Sequence, residues 1–141
     1  MNAHELMVKA VRAAASAKLL LDSGDADGAC NRAYYAMFDA ARAALLVSGA
    51  PVEAEVVRTH GGLISAFSLH LVKTGRVPVE LGRGINKAEE IRLVADYKGD
   101  PVDPEQAAWA VQQAAEFVEV MQREFAPQQP GPSQDTWPKP S

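Results

Sequence analysis

Cysteine is almost absent from this sequence, since Cys30 is the only one. One thiol excludes an internal disulfide and any metal site that needs two or more cysteine ligands. Because Cys30 lies among apolar residues, we expect a small buried side chain rather than a nucleophile. The sequence also has no phosphate-binding Gly-rich loop, no H-E-x-x-H motif and no histidine pair at metal-ligand spacing. We therefore predict neither a cofactor nor a resident metal ion.

The sequence also has no excess of basic residues over acidic ones. Lysine and arginine number 14 against 18 aspartates and glutamates, for a formal net charge of −4. Such a chain gains no long-range attraction to phosphate backbones, so any contact with nucleic acid must be local.

Long apolar runs are also lacking: Glu5, Lys9 and Arg12 interrupt the N-terminal apolar pattern, which excludes a signal peptide and a membrane span. We expect a cytoplasmic protein with no membrane association.

The sequence does contain the apolar periodicity of helices. Apolar residues make up 48% of the 141 residues and aromatic residues only 6%, which is typical of a globular domain of closely packed helices. Nothing shows the alternation of a strand, so we predict an all-α, up-and-down bundle of about five helices over residues 1–126. Capping and breaking signals place these helices over about residues 3–22, over about 26–48, from Thr59 to Thr74-Gly75, from Pro78 to Lys98-Gly99, and from Asp103-Pro104 onwards.

The second predicted helix is apolar around nearly its whole circumference, which is typical of the central helix of a bundle. We also expect a homodimer through this helix, because one monomer's core should not need so much apolar surface. From residue 127 the composition changes to proline, glutamine and serine. Residues 127–141 are therefore predicted to form a disordered tail.

One stretch of the second helix carries the main functional signal. It reads Asn31-Arg32-Ala33-Tyr34-Tyr35-Ala36-Met37-Phe38, and it resembles the corresponding helix of the HEPN domain family. The resemblance covers roughly residues 3–125, through further blocks in the same order: Thr59-His60-Gly61-Gly62-Leu63-Ile64, Lys73-Thr74-Gly75, Glu80-Leu81-Gly82-Arg83 and Ala95-Asp96-Tyr97. It implies a helical bundle that is usually a homodimer, and that in many members is a ribonuclease toxin. It also implies a minimal nucleotidyltransferase as the partner protein, in a toxin–antitoxin-like pair.

The family's catalytic signature is an arginine followed on the same helix by a histidine. Arg32 matches the arginine, but Asp39 stands at the histidine position, two turns away on the same face. We expect nearby arginine to keep Asp39 ionised. An ionised carboxylate cannot act as a general acid, is a weak base and repels the scissile phosphate, whereas Arg32 can still bind a phosphate. The catalytic position is thus predicted to be degenerate.

Two functions remain open. The first is a catalytically impaired, dimeric HEPN-like domain that acts as a binding module or as the partner of a nucleotidyltransferase, with Asn31, Tyr35 and Arg42 beside the degenerate site as binding residues. The second is an active, metal-independent ribonuclease that uses Arg32 with another imidazole, for which His60 is the candidate. RNA or a nucleotide is the ligand expected in either case.

Simpler structural roles compete with both functions. Asp39 and Arg42 are three residues apart and could form a plain helical ion pair. His60 could be a solvated residue that caps a helix.

Overall fold

The helices of this protein are defined in a computed structural model that describes residues 1–126, and no strand occurs in that range. The prediction of an all-α bundle of five helices is confirmed. A short 3₁₀ turn, Val56–Arg58, precedes the third helix, and a π-helical turn, Ser68–Val72, follows it. The predicted tail, 127–141, lies outside the described residues. The five helices are α1 (Ala3–Asp22), α2 (Ala26–Ser48), α3 (His60–Phe67), α4 (Val79–Lys98) and α5 (Pro104–Glu124).

Local sequence signals set the helix ends. The side chains of Asp25 and Thr59 accept hydrogen bonds from Gly28 N at 2.8 Å and Gly62 N at 3.0 Å, and so cap the free N–H groups at the starts of α2 and α3. Helices α2 and α4 both end at a glycine in the left-handed region, with φ of 74° at the end of α2 and 72° at the end of α4. These boundaries agree with the predicted ones because capping depends on residues close in sequence.

Helix α2 is the centre of the bundle and packs against all four other helices. More than half of its 23 residues are buried, and its alanines let the neighbouring helices approach closely. The expectation that α2 has more apolar surface than one monomer can bury is therefore wrong, because the other helices of the same chain cover it. The fully buried alanines of α2 are Ala29, Ala33, Ala36, Ala40, Ala41, Ala43 and Ala44.

Two buried phenylalanine rings, tilted by 31° to each other, bring α3 into contact with α5. The rings of Phe67 and Phe117 lie 5.3 Å apart between centroids, and both side chains are buried. Since His60 is the first residue of α3, this contact also helps to fix the position of His60 beside α2.

The sequence predicted a buried thiol at Cys30 and no membrane-spanning segment. Cys30 is buried, and burial raises the pKa of its thiol to about 11, so it stays protonated and unreactive. None of the described helices is long and apolar enough to cross a membrane.

Candidate functional site

Asp39 lies on α2 with only 6% of its surface exposed, the one buried charged residue in the part of the chain that the structure describes. Burial raises the pKa of its carboxyl group, and the nearby cations Lys9, Arg42 and Arg32 oppose that rise without reversing it. Nearby arginine therefore favours the ionised form of Asp39, as expected, but it does not bring the pKa of the carboxyl group below its ordinary value. Desolvation of the carboxyl group is the larger effect.

The alternative of a helical ion pair between Asp39 and Arg42 is also not seen. Within residues 1–126, no salt bridge or hydrogen bond joins these two side chains. The Nε atom of Arg42 is shielded from solvent and has no described hydrogen-bond partner. We call the three cations around Asp39 the basic face, which consists of Lys9, Arg32 and Arg42. Its one unsatisfied buried donor among the described residues is Nε of Arg42.

The raised pKa of Asp39 predicts how its substitution changes stability. When the pKa of a carboxyl group is higher in the folded state than in the unfolded state, the protonated group stabilises the fold at low pH. This contribution is lost as the pH rises from the ordinary pKa of 3.8 through the raised pKa. Asp39→Asn should therefore melt higher than the wild type at pH 7, by about 2 °C or more, and the difference should shrink toward pH 3. Thermal melts of both proteins between pH 3 and 8 measure this. A less stable Asp39→Asn protein at pH 7 would show that the cations outweigh burial.

A second group of side chains surrounds His60. Its Nδ1 atom lies 2.7 Å from the hydroxyl oxygen of Tyr34 and 3.7 Å from Oε2 of Glu89. Tyr34 is fully buried, and burial followed by the charge of Glu89 raises the pKa of its phenol, so the hydroxyl keeps its proton. The expectation that His60 caps the helix is wrong, since Thr59 provides the cap, and the partly exposed His60 ring is held by Tyr34.

Aromatic rings and one arginine complete this group. The His60 ring lies 5.9 Å from the ring of Tyr35 and 5.3 Å from that of Phe38, both on α2. The guanidinium carbon of Arg92, on α4, lies 5.0 Å from the ring centroid of Tyr34 and 5.7 Å from that of Tyr35. We call Tyr34, Tyr35, Phe38, His60, Glu89 and Arg92 together the His60 cluster.

Sequence reasoning missed the α4 members of the His60 cluster. Arg92 forms ion pairs with Glu89 at 3.3 Å and with Asp96 at 3.2 Å, at spacings of three and four along α4. That spacing was visible in the sequence and is the signal that could have identified Arg92. Its contact with the rings of α2 was not visible, because it depends on how α4 packs against α2.

The predicted site residues thus fall into two groups. Arg32, Asp39 and Arg42 belong to the basic face, whereas Tyr35 and His60 meet in the His60 cluster. Asn31 is half-buried on α2, and its side chain makes no hydrogen bond to another described residue. No hydrogen bond or ion pair joins Arg32 to His60 in residues 1–126, and no group of three or more potential metal ligands occurs there.

Comparisons with known proteins agree with the family resemblance. A family model described as "HEPN domain" matches residues 3–124. A UPF0332 protein of Gloeobacter violaceus is 34% identical over 118 residues, which cover 82% of this chain and 90% of that protein. A protein of Methanocaldococcus jannaschii named "Putative toxin MJ0605" is 34% identical over 104 residues, or 74% of each chain. A second protein of that organism, named "Putative toxin MJ0142", is 33% identical over 94 residues, or 66% of this chain and 60% of that one.

Proposed function

Because this chain belongs to the HEPN domain family, we propose that it is a toxin-type member of the family that binds RNA at the basic face. The observation that carries the proposal is the convergence of three cations from α1 and α2 on the position where the family has its catalytic histidine. Two relatives with toxin names support the same class of function.

The basic face has the chemistry that a phosphate requires. The chain as a whole is acidic, so a local cluster of Lys9, Arg32 and Arg42 is the kind of short-range site that its charge still allows. Guanidinium groups bind phosphate oxygens through parallel hydrogen bonds. The Nε atom of Arg42 is shielded from solvent, so a phosphate would be bound by the terminal nitrogens of this guanidinium group.

Cleavage at this face is proposed to be impaired. A general base must reach the 2′-hydroxyl proton of the RNA, and an imidazole near neutral pKa suits that task. Asp39 offers a carboxyl group instead, which as an anion is a weaker base than an imidazole and repels the scissile phosphate, and as a neutral acid cannot accept the proton. A binding module with little or no ribonuclease activity is the function that these properties support best.

The active ribonuclease with His60 as the replacement imidazole is less well supported. Nδ1 of His60 is already bonded to Tyr34, and no described hydrogen bond or ion pair links His60 to Arg32. The two groups that cleavage would need therefore belong to separate clusters.

Two partners complete the proposal, and both rest on the family resemblance. A second copy of the chain would place two basic faces in one composite cleft, as in the homodimers that are usual in the family. A minimal nucleotidyltransferase would act as the antitoxin-type partner, and its gene beside this one, with co-purification of the two products, is the expected finding.

RNA binding at different salt concentrations tests the proposed function. Arg32→Ala and Arg42→Ala should each weaken binding of a short single-stranded RNA and reduce the slope of log affinity against log salt by about one, because each removes a phosphate contact. Arg123→Ala is the matched control, since Arg123 is exposed at the end of α5 and its ion-pair partner within residues 1–126 is its neighbour Glu124. Sedimentation of the same samples at micromolar concentration should give a dimer. Absence of RNA binding at low salt, or equal losses in all three variants, would refute the proposal.

A further inference from the structure

The His60 cluster carries an inference that goes beyond RNA binding itself. We propose that Tyr35 and His60 form a subsite for one unpaired RNA base, in which Nε2 of His60 donates a hydrogen bond to an acceptor atom of that base. The inference rests on the proposed function and states which part of the RNA this protein distinguishes.

The first step is the position of the proton on His60. The hydroxyl group of Tyr34 is buried and protonated, and Nδ1 of His60 is its one hydrogen-bond partner among the described residues. A buried hydroxyl proton without an acceptor is costly, so Tyr34 donates and Nδ1 accepts. A neutral imidazole carries one proton, which therefore resides on Nε2.

The second step is the accessibility of Nε2. The side chain of His60 is 39% exposed, and Nε2 has no partner in residues 1–126. Among the described residues, two side-chain polar atoms are shielded from solvent and lack a hydrogen-bond partner, and both are arginine Nε atoms. Nε2 of His60 is not one of them, so it is in contact with solvent. Nε2–H is thus a fixed donor that faces solvent. Such a nitrogen cannot take a proton from a substrate, but it can donate a hydrogen bond to an acceptor atom.

The third step is the charge of the surroundings. Glu89 and Arg92 carry one charge of each sign in the His60 cluster, and the Glu89 carboxylate lies 3.7 Å from Nδ1. The cluster thus has no net positive charge to hold a phosphate, and a carboxylate lies beside the imidazole, so the acceptor that fits Nε2–H is a neutral one. The carbonyl oxygens and ring nitrogens of unpaired RNA bases have that chemistry.

The fourth step is the connection to the basic face. Tyr35 is half-buried beside His60, and it follows Arg32 by one turn of α2, so the two side chains are neighbours on the helix surface. Unpaired bases commonly stack on exposed tyrosine rings while cations bind the backbone next to them. Arg32 would hold the phosphate and Tyr35 the base of the same nucleotide.

Binding to short homopolymeric RNAs tests the subsite. Fluorescence anisotropy with single-stranded oligo-U, oligo-C and oligo-A should show that the wild type prefers one of them by about tenfold. His60→Ala should remove this preference and leave the salt dependence unchanged, since no phosphate contact is lost. Tyr34→Phe, which loses only the hydroxyl that fixes the proton on Nε2, should reduce the preference in a folded protein. Tyr35→Leu should weaken binding of all three RNAs by about tenfold through loss of stacking.

A control and a spectroscopic measurement keep the outcomes separate. His70→Ala, which alters a half-buried histidine in the π-helical turn after α3, should change neither affinity nor preference. Nitrogen-15 NMR of labelled histidine should find the His60 proton on Nε2 in the wild type. RNA binding with unchanged preference in His60→Ala and Tyr34→Phe, or a proton on Nδ1, would overturn the subsite and leave the proposed function standing. A wild type that binds no RNA would overturn both.

Discussion

Asp39→His is expected to raise RNA cleavage by about 10²–10⁴-fold over the wild type, the usual contribution of a positioned acid–base group. The substitution returns an imidazole to the face of α2 that carries Arg32, two turns away. The surroundings of Asp39 should suit it, because burial and the cations Lys9, Arg32 and Arg42 all disfavour a protonated imidazole and so keep a base available near neutral pH. RNA binding should also strengthen, since a carboxyl group leaves the basic face.

Two further variants make this experiment decisive. Asp39→Asn removes the carboxylate without adding an imidazole, so it should strengthen RNA binding and leave cleavage near the wild-type level. Arg32→Ala in the Asp39→His background should abolish the gained cleavage and the gained binding, because the phosphate loses its anchor. Metal-independent cleavage by the wild type that survives Arg32→Ala would contradict the proposal. So would a folded, dimeric Asp39→His protein that neither binds nor cleaves RNA.

Phe117→Ala is expected to lower the free energy of unfolding by about 3–5 kcal/mol. The ring is 1% exposed and packs on Phe67, so its removal loses buried apolar area and leaves a cavity between α3 and α5. A domain of this size has a total stability of about 5–15 kcal/mol, so the loss is a large share. Denaturant unfolding of both proteins, followed by circular dichroism, measures it.

Phe117→Leu is the matched control for that loss. It keeps most of the apolar volume and should cost less than about 1.5 kcal/mol. Because α3 carries His60, the Phe117→Ala protein, where it remains folded, should also lose base preference before it loses RNA affinity. A cost below about 1 kcal/mol for Phe117→Ala would mean that α3 is held mainly by other contacts.

The sequence by itself determined the fold and the family. Helix starts at Asp25 and Thr59 and helix ends at Gly49 and Gly99 depend on hydrogen bonds and backbone angles within a few residues, so their signals are local and readable. The order of motif blocks likewise identified the HEPN family, which the match over residues 3–124 confirms. The position of Arg32 and Asp39 on one face of α2 followed from helical spacing alone.

Only the tertiary structure decided the state of the groups at the candidate site. The pKa of Asp39 rises because neighbouring helices remove water from its carboxyl group, and no spacing along α2 reveals how much water is removed. The Tyr34–His60 hydrogen bond joins residues 26 positions apart, and Arg92 reaches the same rings from α4. Burial and long-range contacts depend on how three helices pack together, whereas the sequence pattern of each helix reports only its own period.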